Sequence, residues 1–116
     1  MASELLSEVI VKGLKERKAE DILRMDLRNV DGAITDFFVI ATGTSDRHVK
    51  ALADSAEEFA RLELQDKPIS REGLQLGEWV LLDYSNVVVH IFLDEKRKFY
   101  DIEGLWGDAE FVKEEG

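Results

Sequence analysis

Residues 79–93 place the strongest constraint on what this chain can fold into. They read Trp-Val-Leu-Leu-Asp-Tyr, then Ser-Asn, then Val-Val-Val-His-Ile-Phe-Leu. Two apolar runs either side of a two-residue polar break are the pattern of a β-hairpin, with strands at 79–84 and 87–93 and Ser85-Asn86 at the tip. Side chains alternate along a strand, so Val87, Val89, Ile91 and Leu93 share one face and Val88, His90 and Phe92 the other. The wider stretch 77–106 holds both tryptophans and both tyrosines of the protein. Aromatics gathered in this way mark either the centre of a core or a face that meets a partner.

The remaining elements follow from periodicity. Leu5, Leu6, Val9, Ile10 and Leu14 form the apolar stripe of a helix over 3–18, with Ser3 as its cap. Gly13 costs that helix about 1 kcal/mol relative to alanine. In a strand over 22–28, Leu23, Met25 and Leu27 alternate with Arg24, Asp26 and Arg28, which predicts one buried and one wet face. Asn29-Val30-Asp31-Gly32 is turn chemistry. The strand 36–42 carries Phe37-Phe38-Val39-Ile40-Ala41, apolar on both sides, as a central strand covered on both faces would be. Gly43-Thr44-Ser45-Asp46 ends it and opens a helix that Ser45 can cap. Val49, Leu52, Ala53, Ala56, Phe59 and Ala60 carry that helix to about Gln65, and Pro68 prevents continuation. A connector over 69–77 has room for a short strand near Ile69. Phe99, Ile102 and Trp106 predict a last helix over 95–106, stopped by Gly107 and followed by a frayed acidic tail over 108–116. The expectation is one domain over 1–116 of the α/β (α+β) class. Its order is α-β-β-α-(β)-β-β-α, a mixed β-sheet packed between helices.

Bulk properties exclude several function classes. There is no cysteine, hence no disulfide, thiolate metal site or cysteine nucleophile. The net charge of −10 repels a phosphate backbone and disfavours direct nucleic-acid binding, while it would steer a basic protein toward the chain. No apolar run approaches the roughly 20 residues of a membrane span. The acidic opening Met-Ala-Ser-Glu-Leu-Leu-Ser-Glu has no signal-peptide or transit-peptide pattern, in keeping with a cytoplasmic protein.

Four constellations could carry chemistry. The Gly43–Asp46 corner sits between a strand and a helix N-terminus, where anions bind, and resembles the Gly-Ser opening of nucleotidyltransferases. Those enzymes also need clustered carboxylates to hold metal ions, and no Asp-x-Asp pair follows, so capping is the better reading. His48 and His90 could join Asp46 or Asp36 around a metal, but His90 stands in a run of valines where a packed histidine is expected. A Ser45–His48 nucleophilic pair lacks a third, orienting group. The fourth set is aromatic: Trp79 at a strand start, Tyr100 on the opposite side of the last helix from Phe99 and Ile102, and Trp106 at the helix end. Periodicity alone leaves core packing and an interface hot spot equally open for these three, with Lys96, Arg97 and Glu103 available as a polar rim.

Three stretches in order carry a family resemblance. Residues 34–49 (Ile-Thr-Asp-Phe-Phe-Val-Ile-Ala-Thr-Gly-Thr-Ser-Asp-Arg-His-Val) are similar to its first signature. Residues 77–84 with 87–92 are similar to its second, and 97–106 (Arg-Lys-Phe-Tyr-Asp-Ile-Glu-Gly-Leu-Trp) to its third. Over roughly residues 5–108 the chain resembles the ribosomal silencing factors, also called RsfS, Iojap or YbeB. One departure is Ser85-Asn86, where the family often has Gly-Asp. The resemblance implies a nucleotidyltransferase-related sandwich without the catalytic carboxylates, no enzymatic activity and no cofactor. It implies a translational repressor that binds ribosomal protein L-fourteen on the large ribosomal subunit and blocks subunit joining, and that pairs as a homodimer when free. The positions matching the family's contact surface are Trp79, Arg97, Tyr100, Glu103, Leu105 and Trp106. It also assigns Val80, Leu82, Val89, Ile91 and Phe99 to the core.

Overall fold

The two most apolar runs lie side by side. In the computed structural model, which describes residues 2–107 and 109–114, the element order is α1 (Ala2–Glu16), β1 (Glu20–Asp26), β2 (Phe37–Gly43), α2 (Asp46–Leu64), β3 (Ser70–Glu72), β4 (Trp79–Asp83), β5 (Val87–Leu93), α3 (Asp94–Tyr100), α4 (Ile102–Leu105) and β6 (Glu110–Glu114). The six strands form one sheet in the order β3-β4-β5-β2-β1-β6. β2 and β5 pair in parallel at its centre and every other pair is antiparallel, so the sheet is mixed. All seven residues of β2 are buried, as its two-sided apolar pattern requires.

Both long helices cover the same face. Leu6, Ile10 and Leu14 of α1 and Val49, Leu52, Ala53, Ala56 and Ala60 of α2 pack onto Phe37, Val39, Ala41, Val80, Leu82, Val87, Val89 and Ile91. The interhelix contact depends on small residues. A side chain at Gly13 would meet the Ser55 carbonyl oxygen at 2.8 Å and the Ala56 Cα at 2.9 Å, and the Ser55 hydroxyl donates to the Gly13 carbonyl at 2.7 Å. Gly13 is therefore the contact point of two backbones rather than a weak place in a helix. Gly13→Ala should gain about 1 kcal/mol of helix propensity and lose more by forcing the helices apart, for a net destabilisation of about 1–2 kcal/mol. Urea unfolding midpoints check this; an alanine variant more stable than wild type would show that the helices can separate freely.

Several expectations need correction. Ser3 lies inside the first turn of α1 and is buried, because the helix starts at Ala2, and Leu5 is largely exposed, off the stripe. The face of β1 expected to be wet points toward α1. Arg24 donates to Ser7 and, at 2.7 Å, to Glu114, while Arg28 pairs with Asp26 at 2.7 Å and lies 4.8 Å over the Phe37 ring. The acidic tail is not frayed across 110–114. It forms β6, antiparallel to β1, with Phe111 opposite Met25 and Glu114 held by Arg24. Asp108, Glu115 and Gly116 of that predicted tail lie outside the described residues.

The single helix expected over 95–106 is two. Asp101 adopts φ 44°, its N–H closes α3 on the Arg97 carbonyl, and α4 restarts at Ile102. Aspartate tolerates this left-handed conformation better than most residues. The break rotates the segments relative to each other, so the i, i+3, i+7 relation that grouped Phe99 with Ile102 and Trp106 no longer holds. Ile102 is buried on the sheet, whereas Phe99 is 79% exposed and not part of the core. Among the described residues the second sheet face is thus covered by short segments, around α3, α4 and the 30–33 turn, over Leu23, Met25, Phe38, Ile40, Val88 and Phe92.

Candidate functional site

The incompletely covered face carries the aromatics. The hairpin register places Trp79 directly across from Phe92, with His90 one diagonal step away. Trp79 stacks on Phe92 with ring centroids 5.0 Å apart, and Tyr100 of α3 closes on Trp79 at 4.6 Å. Phe38 meets His90 edge-on at 4.8 Å and reaches Trp106 at 6.2 Å. A continuous row, Tyr100–Trp79–Phe92–His90–Phe38–Trp106, therefore crosses β4, β5 and β2. Its middle is buried and its ends reach solvent. Trp79 and Trp106 are half-buried, Tyr100 is 44% exposed, and Phe99 and Leu76 stand out beside them. A hollow of about 180 Å³ opens next to Trp79, lined by Gly73, Leu76, Glu78, Lys96 and Tyr100.

The six sequence-predicted residues divide into two groups. Trp79, Tyr100 and Trp106 belong to the aromatic row, and Leu105 lies close to it in sequence at 74% exposure. Arg97 and Glu103 instead face each other at 3.3 Å. The Arg97 guanidinium also donates to the Asp21 carbonyl at 2.7 Å and the Thr42 hydroxyl at 2.8 Å. With its side chain only 11% exposed, Arg97 ties α3 to β1, β2 and α4 and so holds the segment that presents Tyr100 and Leu105. Exposed Phe99 and Leu76, and Phe38 and Phe92 as the platform, are not among the residues that the sequence singles out for the site. Strand alternation and hairpin register hold the signal for Phe92; nothing local flags Phe38.

His90 lies beneath Trp79. The indole N–H donates to His90 Nδ1 at 3.2 Å, which makes the ring the Nε2–H tautomer. Burial pushes its pKa down to about 4 from an ordinary 6.5. The unfolded chain then takes up a proton near 6.5, which the folded chain refuses until about 4. The contribution to stability is whole above pH 6.5 and falls by about 1.4 kcal/mol per pH unit between those values. Urea titrations at pH 7 and pH 5 should show a smaller loss in His90→Gln than in wild type. Asp26, held below the usual carboxylate range by its hydrogen bond from Arg28, loses its contribution at lower pH in both proteins, so the difference isolates His90. Equal pH slopes would refute the assignment.

At the alternative site the polar groups serve the fold. Ser45 Oγ accepts the His48 backbone N–H at 3.0 Å as an N-cap. His48 Nδ1 accepts the Thr44 N–H at 2.9 Å, so Nε2 carries the proton and donates to the Arg17 carbonyl at 2.8 Å, pinning the end of α1. Among the described residues no three His, Asp or Glu side chains are placed to hold a metal ion. No helix among them is long and apolar enough to cross a membrane.

Comparison with known proteins decides the family. The family described as "Ribosomal silencing factor during starvation" matches residues 1–116. The chain belongs to the ribosomal silencing factor family. A relative from Halalkalibacterium halodurans named ribosomal silencing factor RsfS is 36% identical over 117 residues, covering 100% of this chain and 97% of its own. The Bacillus subtilis factor is 35% identical, over 94% of this chain and 91% of its own. The maize protein Iojap, chloroplastic, is 33% identical over 86% of this chain and 42% of its own. A crystal structure of a Chromobacterium violaceum protein superposes with a TM-score of 0.86 at 35% identity, covering 100% of this chain and 95% of that one. The mixed α+β architecture is thus that of a solved relative. The name of the silencing factor family denotes an action on ribosomes and not a reaction.

Proposed function

We propose that this silencing factor represses translation by binding ribosomal protein L-fourteen on the large ribosomal subunit and sterically blocking small-subunit joining, without catalysis, in the cytoplasm. The observation that carries the reading is that both ends of the aromatic row reach solvent. Trp79 and Tyr100, with Phe99 beside them, open at one end and Trp106, with Leu105 next to it in sequence, at the other, on a face that α1 and α2 do not cover. Trp on the first strand of the hairpin and Tyr on the helix that follows its second strand are the composition of an interface hot spot. The charge of −10 favours a basic ribosomal protein over RNA.

Large subunits preincubated with the protein, then mixed with small subunits, should give fewer joined ribosomes in a sucrose gradient. Undiminished joining at saturating protein would sink the proposal. The same aromatic surface is proposed to pair two copies of the free chain. The paired mass seen by light scattering should then fall as the ribosomal protein is added; pairing that persists in the complex would place the dimer contact elsewhere.

A further inference from the structure

The row contains one polar side chain that the proposed binding role does not use. His90 is 5% exposed, and its Nδ1 holds the Trp79 indole N–H. The groups packed about it are apolar or aromatic: Phe38 and Ile40 from β2, Trp79 and Leu81 from β4, and Phe92 from its own strand. No charged group contributes to its lowered basicity, which comes from burial alone. Its Nε2 is buried without a hydrogen-bond partner among the described residues. A polar ring kept there at such a cost needs a reason, because a buried donor without a partner is unfavourable.

Trp79 supplies the reason. Stacking on Phe92 with 25° between the rings restricts the plane of the indole but not which edge points inward. The torsion about the Cβ–Cγ bond of tryptophan is broad, so stacking on Phe92 and Tyr100 does not by itself select one edge. Neither neighbouring ring face supplies a nitrogen or carbonyl acceptor. The hydrogen bond to His90 selects one edge.

We propose that His90 is a positioning residue of the partner face, whose neutral imidazole fixes the orientation in which Trp79 is presented. This rests on the reading of Trp79 as a ribosome contact. It makes the affinity of the face depend on a residue that the partner never touches.

The test has a readout in the free chain and one with isolated large ribosomal subunits. In the free protein, nitrogen NMR should find His90 as the Nε2–H tautomer and the Trp79 indole N–H, assigned with a Trp106→Phe variant, protected from solvent exchange. An Nδ1–H tautomer in wild type would overturn the proposal whatever the variants do. His90→Phe fills the site but cannot accept a hydrogen bond. It should speed exchange of the Trp79 indole N–H by about tenfold or more and weaken binding to large subunits by about tenfold. His90→Gln, which restores an acceptor, should recover most of both. In a Trp79→Phe background, His90→Phe should cost no further affinity. A cooperatively melting His90→Phe protein with wild-type affinity, or with unchanged indole exchange, would overturn the proposal. Failure of wild type itself to bind large subunits would instead defeat the ribosomal reading, and the indole readout would still decide whether His90 orients Trp79.

Discussion

Trp79→Ala is expected to weaken binding to large ribosomal subunits by about 30-fold or more, roughly 2 kcal/mol. The indole has three roles that alanine cannot fill. It is the part of β4 that reaches toward solvent beside Tyr100, it covers Phe92, and it pairs with His90 Nδ1. Truncation exposes the platform to water in the free protein and removes the anchor in the complex. Part of the loss will appear as stability, since Phe92 and His90 lose their cover. Affinity should therefore be measured by co-sedimentation with variants that still unfold cooperatively. Tyr100→Ala, which removes the more exposed ring and leaves the indole stacked on Phe92, should cost less than Trp79→Ala. A folded Trp79→Ala protein with wild-type affinity would reduce Trp79 to a packing residue and move the partner surface elsewhere.

Gly73→Ala is expected to destabilise the fold by about 3 kcal/mol or more, the sum of left-handed strain and a backbone collision. Gly73 has φ 83°, and a Cβ there would strike the carbonyl oxygen of Trp79. The 73–77 turn is closed by the Gly77 N–H on the Gly73 carbonyl at 2.9 Å, so the turn cannot open without losing that bond. The obstructing atom is backbone at the first residue of β4, and no rotamer change relieves it. Relief requires moving the start of the strand, which carries Trp79. The variant should lose partner affinity along with stability, although Gly73 need not touch the partner. Gly107→Ala is the comparison: a side chain there meets open space, and its unfolding midpoint should barely change. Equal midpoints for Gly73→Ala and wild type would mean that the 73–79 backbone relaxes without cost.

Much of the fold was legible because it rests on local rules. Alternation along 87–93 and a two-residue tip at Ser85-Asn86 imply the register that sets Trp79 against Phe92, which is the observed pairing. The two-sided apolar run of β2 implied a central strand, and Ser45 caps α2 as its side-chain chemistry predicts. The misses lie where a long-range contact or a left-handed turn overrides a local pattern. Gly13 read as a helix defect because nothing in α1 announces that Ser55 and Ala56 will pack against it. Residues 110–114 read as solvated tail because acidic composition outweighs two apolar residues, until Arg24 of β1 supplies a partner for Glu114. Phe99 is grouped with Ile102 and Trp106 only while the periodicity assumes one unbroken helix, and a single left-handed residue, Asp101, cancels that grouping; the core role that the family resemblance implies for Phe99 fails with it.

By itself, then, the sequence determined the strands of the hairpin and of β1 and β2, the family signatures and the sharing of one face by Val88, His90 and Phe92, because backbone geometry makes alternation unavoidable. Only the tertiary structure decided that this face would be left partly open. That outcome depends on both long helices packing onto the opposite face, on the turn at Asp101 and on an edge strand recruited from the tail. The helix packing and the edge strand are contacts between residues far apart in the chain, whose free energy exists only once the sheet has formed, and the turn at Asp101 is a left-handed step that helical periodicity does not reveal.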